Sequence, residues 1–142
     1  MFIETGFGRN LDIMHRLMDT AVLRHNVIAN NMANSETPNF KRSEVNFEKE
    51  LLRRLELERN GKYTLDFDRA KECRFAFQDP EPYSTLKPIR SLDYLSQADN
   101  NGNNVNLEEE GMSALNNQLR YEMMTYSVSA MFNNIRTALT SR

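Results

Sequence analysis

Tryptophan is absent from the 142 residues, cysteine occurs once (Cys73), and histidine only twice (His15 and His25). A lone thiol excludes an intrachain disulfide and leaves any metal site dependent on histidine or carboxylate help. The two histidines lie on one helical stretch, about 80° apart in azimuth and ~15 Å apart along the axis, too far to share an ion. Long apolar runs are also missing, since no stretch approaches the ~18 apolar residues of a membrane span. The first residues, MFIETGFGRNLDIMHRL, have no basic start, continuous apolar core or small-residue cleavage site, and so do not read as a cleaved secretory leader. Excess basic charge is lacking as well. With 18 Lys+Arg against 20 Asp+Glu the net charge is −2, which gives no electrostatic footprint for nucleic acid.

Catalytic signatures are missing in the same way. There is no GxSxG, no P-loop and no nucleophile–base pairing. The run DNNGNNVNLEEE places Gly102 fourth from Asp99, whereas a calcium loop of the EF-hand type needs glycine sixth. No enzymatic activity, cofactor or metal is expected.

What is present is helical periodicity on a lean apolar supply. Hydrophobic residues make up 39% of the chain, and the mean hydropathy is negative. Partner chains are therefore expected to complete the apolar surface. From Asn10 to Ala33, residues Leu11, Met14, Met18, Ala21, His25, Ile28 and Met32 alternate spacings of three and four, an a/d stripe widened by Leu17, Val22 and Ala29. Asn10 is the expected N-cap, with Asp12 in the first turn facing the helix dipole. His25 is expected at a helix interface. After SETPNFKR, a second helix is predicted from Ser43 or Asn46 to Arg59, with Phe47, Leu51 and Leu55 inward and a mixed-sign solvated face. Asn60-Gly61 ends it.

Between Lys62 and Asn104 the helical period disappears. YTLDFD and CRFAFQ alternate weakly, as a small hairpin would, and prolines and ADNNGNNVN punctuate the rest. A last helix is predicted from Leu107 to Thr140, capped by Asn106, with Glu109 at the capping-box position and Glu108 to Glu110 at the positive end of the dipole. Its apolar residues fall into two nearly opposed stripes. One holds Met112, Leu115, Leu119, Met123, Tyr126 and Ala130; the other holds Tyr121, Met124, Val128, Met131, Ile135 and Ala138. Pairing with the N-terminal helix needs one stripe, so the second argues for contacts with other subunits. The expected fold is mainly α. Long N- and C-terminal helices pair as a coiled-coil-like hairpin, with a shorter third helix and an irregular middle holding at most a short β-hairpin. The segments expected are 1–40 (axial helix and motif), 41–61 (short helix), 62–105 (variable insert and linker) and 106–142 (C-terminal axial helix).

Three asparagines, Asn30, Asn31 and Asn34, end the first helix just before Thr37-Pro38, although asparagine is a mediocre helix former. The run VIANNMANSETPNFK resembles the N-terminal signature of flagellar axial proteins, carried here by Ala29, Asn30, Asn31, Ala33, Asn34, Thr37, Pro38 and Phe40. Asn39 stands where that signature usually has glycine, and asparagine tolerates the left-handed backbone a turn there would need. The C-terminal run GNNVNLEEEGMSALNNQLRYEMMTYSVSAMFNNIRTAL is similar to that of the B-type proximal rod family, FlgB, including Arg120-Tyr121 and Ile135 to Ala138. The two matches lie at the chain ends, and Leu57 to Gln97 is left unmatched.

The resemblance implies a non-enzymatic subunit of the bacterial flagellar basal-body rod, in the periplasm, exported through the type III apparatus without a cleaved leader. The implied partners are copies of itself, the C-type proximal rod protein, the rod-base adaptor and the membrane-ring base. The alternatives at this stage are the C-type proximal rod protein itself and, in another class, a cytoplasmic helical adaptor or secretion chaperone.

Overall fold

The computed structural model describes residues 5–60, 82–94, 96 and 102–140. The segments YTLDFD and CRFAFQ lie outside the described residues. The chain divides into two compact units, one of Met1–Val45 with Arg90–Arg142 and one of Asn46–Ile89.

The first unit is a helical hairpin. Helix α1 spans Gly6–Ala33, starting a turn before the predicted Asn10. Gly6 and Gly8 disfavour helix intrinsically. Two contacts override them: Thr5 caps the end, its Oγ1 accepting from Gly8 N at 3.1 Å, and Phe7 packs edge-to-face on Phe132 with ring centroids 5.7 Å apart. Asp12 is therefore not a dipole partner in the first turn; it accepts from Arg16 Nε at 2.9 Å. The C-terminal helix, called α3 here, spans Leu107–Thr140 as predicted. Asn106 Oδ1 accepts from Glu108 N at 3.0 Å, the expected cap. At 34 residues α3 is ~51 Å long, against ~42 Å for the 28 residues of α1. The two helices pack along one another. Phe7 meets Phe132, Ala21 meets Asn117 and Asn34 meets Asn103, which fixes an antiparallel register.

The segment 43–46, predicted as the start of the second helix, is instead strand β1 (Ser43–Asn46). It pairs antiparallel with β2 (Ile89–Leu92), which sequence periodicity did not mark. Alternation over four residues is too short to outweigh a neighbouring helical pattern, and the outer edge of β1 is satisfied by α1 rather than by a third strand. Asn31 bonds the backbone of Ser43, and Arg24 Nη2 donates to Val45 O at 3.3 Å. That strand also shifts the buried face of α1. Thr20, Ala21, Val27, Ile28 and Asn31 are buried, Leu11, Met14 and Met18 are half-buried, and His25 and Met32 are exposed. The expectation of an interface position for His25 does not hold within this chain.

In the second unit, α2 (Glu48–Asn60) carries the predicted solvated face, where Glu50 accepts from Arg54 Nε at 3.0 Å and pairs with Arg53 at 3.3 Å. A 3-10 turn at Tyr83–Thr85 packs on this helix, with Tyr83 N donating to Glu58 Oε1 at 2.9 Å. Among the described residues, Phe47, Leu51, Tyr83 and Leu86 are its buried apolar side chains. Among the described residues, no helix is long and apolar enough to cross a membrane.

Candidate functional site

The asparagine-rich end of α1 leads into a closely bonded junction. Helix α1 stops at Asn34, whose N–H still reaches Asn30 O and Asn31 O at 3.2 Å each and whose Nδ2 donates to Asn30 O at 2.8 Å. Thr37 N then donates to Asn34 O at 3.0 Å, and Phe40 N to Thr37 O at 3.2 Å. In this second turn Pro38 sits at the first central position and Asn39 at the next with φ +60°, the placement a type II turn requires. Asparagine thus fills the left-handed position in place of glycine.

The three motif asparagines have three different surroundings. Asn31 is fully buried. Its Nδ2 donates to Ser43 O at 2.9 Å and its Oδ1 accepts from Ser43 N at 3.1 Å, so one side chain satisfies both polar groups of a strand residue. Asn34 stays at the helix end and faces Thr37. Asn30 is exposed. The hydrogen bonds of Asn31 are therefore made inside its own chain.

The second motif docks on the first. Asn103, also buried, directs its amide at the carbonyls of Asn34 (3.3 Å), Ser35 and Thr37 (3.4 Å), while its Oδ1 accepts from Val105 N at 2.8 Å. These are carbonyls of the turns that follow α1, two of which also accept from Thr37 N and Phe40 N, so Asn103 braces the chain just beyond the helix end. Asn104 is inserted at the end of the β1–β2 ladder. Arg42 N donates to Asn104 Oδ1 at 2.7 Å, and Asn104 Nδ2 donates to Asp93 O at 2.8 Å. Gly102 has φ +78°, a left-handed backbone that calls for glycine, and a Cβ there would lie 2.6 Å from Asn39 Oδ1, so the exposed Asn39 side chain would have to shift. Lys41 Nζ closes the site by donating to Gly102 O at 2.8 Å.

Arg42 is the charged centre of the junction. Its guanidinium donates to Glu110 Oε1 and Glu44 Oε1 and lies 3.8 Å from Asp93 Oδ2. Burial works against its charge, but the hydrogen bond and charge of Glu110, followed by those of Glu44, outweigh it and hold Arg42 above its ordinary pKa. Glu110 lies in the first turn of α3, as read from sequence, and is in addition fully buried. Arg42, Glu110 and Asn117 were not legible as site residues, and Asn103 and Asn104 were marked only as part of the C-terminal motif. The available signal was that Glu110 and Asn117 fall in heptad phase with Met124 and Met131.

The remaining predicted positions lie along α3. Burial there follows one line: Glu110, Ala114 and Asn117, then Met124, Val128 and Met131, with Tyr121 and Ile135 at its margin, 38% and 39% exposed. This is the second predicted stripe, and it faces α1. The first stripe is turned outward. Met112, Leu115, Leu119, Met123 and Tyr126 are all exposed, the last two at 67% and 76%. Among the described residues, no group of three or more His, Cys, Asp or Glu is placed to hold a metal ion.

No family model matches the chain. Whole-length relatives do. The flagellar basal body rod protein FlgB of Borreliella burgdorferi is 38% identical over 133 residues, covering 94% of this chain and 97% of the relative. The chain belongs to the FlgB family of flagellar basal body rod proteins. FlgB of Borrelia hermsii matches to the same extent, and FlgB of Bacillus subtilis is 28% identical over 137 residues, 94% of this chain and 95% of that one. FlgB similarity therefore extends through the middle of the chain, beyond the two terminal motifs that first suggested it. In the folded chain those two motifs, far apart in sequence, form one site.

Proposed function

We propose that this chain is a non-enzymatic structural subunit that polymerises through its terminal helices to form the proximal part of the flagellar drive shaft. The observation that carries this reading is the outward stripe of α3. A line of large apolar side chains from Met112 to Tyr126 covers ~21 Å of helix without cover from its own chain. An opposite, half-buried line is already engaged by α1. A helical array is built from heterologous contacts, in which each subunit presents two different faces, and a helix with two apolar faces supplies such a pair. The partners on this reading are copies of the chain, the C-type proximal rod protein, the rod-base adaptor and the membrane-ring base. Delivery to the periplasmic rod is through the type III export apparatus.

The test is the double variant Met123→Glu/Tyr126→Glu. Both side chains are exposed, so the isolated subunit is expected to keep its helical signal and its urea midpoint within about 0.5 kcal/mol. In cells lacking the native gene it is expected to be absent from purified basal bodies. Normal incorporation of the variant would remove the outward stripe from the assembly surface.

A further inference from the structure

We propose that the outer edge of β2 is a docking site for one extended segment of a neighbouring chain, with apolar, apolar and acidic residues at alternate positions. This contact lies apart from the helical faces on which the proposed function rests.

The two edges of the β1–β2 sheet are finished differently. Asp93 N donates to Arg42 O at 2.8 Å, so the backbone groups of Ser91 and Asp93 are turned to β1, and those of Arg90 and Leu92 are turned away. On β1 the outward groups are bonded one by one: Ser43 N and O by Asn31, and Val45 O by Arg24. On β2 the outward N–H and C=O groups of Arg90 and Leu92 have no partner among the described residues. An open row of this kind accepts a further strand, whose backbone supplies affinity while its alternate side chains supply selectivity.

The side chains beside this edge define the strand that fits. Arg90 Nη2 donates to Ser43 Oγ at 3.0 Å, which places Arg90 and, by alternation, Leu92 on the face of the sheet opposite Arg42 and Asp93. Tyr94 follows two residues on. Leu92 and Tyr94 are 48% and 73% exposed. Arg90 is exposed as well, with no carboxylate paired to it among the described residues. A strand added antiparallel, the commoner arrangement, meets Tyr94, Leu92 and Arg90 in turn. Cross-strand pairing favours apolar residues against the first two and a carboxylate against the third. A second copy of β2, paired antiparallel through the same two outward residues, sets Leu92 against Arg90 and leaves the guanidinium without a carboxylate.

The probe is the peptide Ac-TFTVTET-amide, titrated into the isotope-labelled full chain and followed by nuclear magnetic resonance. Saturable shifts and slowed hydrogen exchange are expected at the Arg90 and Leu92 amides. N-methylation of the peptide's valine, which removes the donor facing Leu92 O, is expected to weaken binding roughly tenfold. Arg90→Glu is expected to weaken the peptide about fivefold and to reverse the preference in favour of Ac-TFTVTKT-amide, which a merely misfolded variant would not do. No saturable shift up to ~1 mM peptide, shifts confined to the exposed apolar stripe of α3, equal affinity for the N-methylated peptide, or an unreversed preference in Arg90→Glu would each overturn the proposal.

Discussion

Substituting Asn31 by leucine tests whether the asparagine motif holds the subunit together or serves only its neighbours. The two side chains have the same branched heavy-atom skeleton, so the change chiefly removes hydrogen bonds, with some added crowding from the bulkier leucine. It leaves the Ser43 N–H and C=O, now bonded at 3.1 and 2.9 Å, without partners at a residue only 2% exposed. Each orphaned buried backbone group costs about 1–3 kcal/mol, or roughly 2–6 for the pair. The more favourable transfer of leucine offsets about 1–2 kcal/mol. Taking the middle of each range, a net loss of about 2–3 kcal/mol is expected, a large share of the ~5–15 kcal/mol typical of a domain. Urea unfolding followed by far-UV circular dichroism reads this as a lower midpoint at unchanged slope. Asn30→Leu is the control, because Asn30 is exposed one position away; its effect is expected within about 0.5 kcal/mol. A parental midpoint for Asn31→Leu, or equal losses in the two variants, would refute the assignment of Asn31 to the fold.

Arg42→Met strands the fully buried Glu110 carboxylate and is expected to cost about 3–5 kcal/mol by thermal melt, most of it recovered in Arg42→Met/Glu110→Leu. Because the pKa of Arg42 is raised in the folded chain, its contribution is fully present below the unfolded value and is lost only as pH rises through the higher folded one. The stability difference between parent and that double variant is therefore expected to be flat from roughly pH 6 to 9 in urea titrations, and a slope there would contradict it. Gly102→Ala, with φ +78° and a Cβ 2.6 Å from Asn39 Oδ1, is expected to lower the urea midpoint by the equivalent of about 1–3 kcal/mol. Adding Asn39→Gly removes the clash but leaves the left-handed backbone strain of about 1 kcal/mol, so recovery is expected to be partial.

Local signals were legible where the chemistry is local. The limits of α3 follow from the Asn106 cap and its apolar periodicity, and the left-handed turn at Asn39 follows from Thr-Pro-Asn. The start of α1 was misplaced because Gly6 and Gly8 are weak helix formers, rescued by Phe132 from the far end of the chain. Strand β1 was hidden for a related reason. Its partners are Asn31, Arg24 and β2, none of them adjacent in sequence. Within the site, Asn31 and Asn34 announced themselves by being poor choices for a helix, whereas Glu110 and Asn117 did not. Polar residues at core positions read as breaks in a stripe until the facing helix shows what they bond.

The hairpin is built unevenly along its length, and the unevenness suits the proposed function. Its loop end is fixed by directional bonds: Asn31 on Ser43, Asn103 on the end of α1, Asn104 in the strand ladder and Arg42 on Glu110. Such bonds tolerate little displacement, so this end enters an array with its geometry already set. Toward the other end the facing residues are half-buried methionines and the Phe7–Phe132 pair, and α3 runs two further turns past that pair to Thr140. Apolar contact is non-directional, and methionine conforms to what it meets. A subunit whose rigid end defines its shape and whose compliant end retains apolar surface can take neighbours without remaking its own fold. Of the asparagines that looked misplaced in a helix, Asn31 is the one that supplies this rigidity, through its two bonds to Ser43.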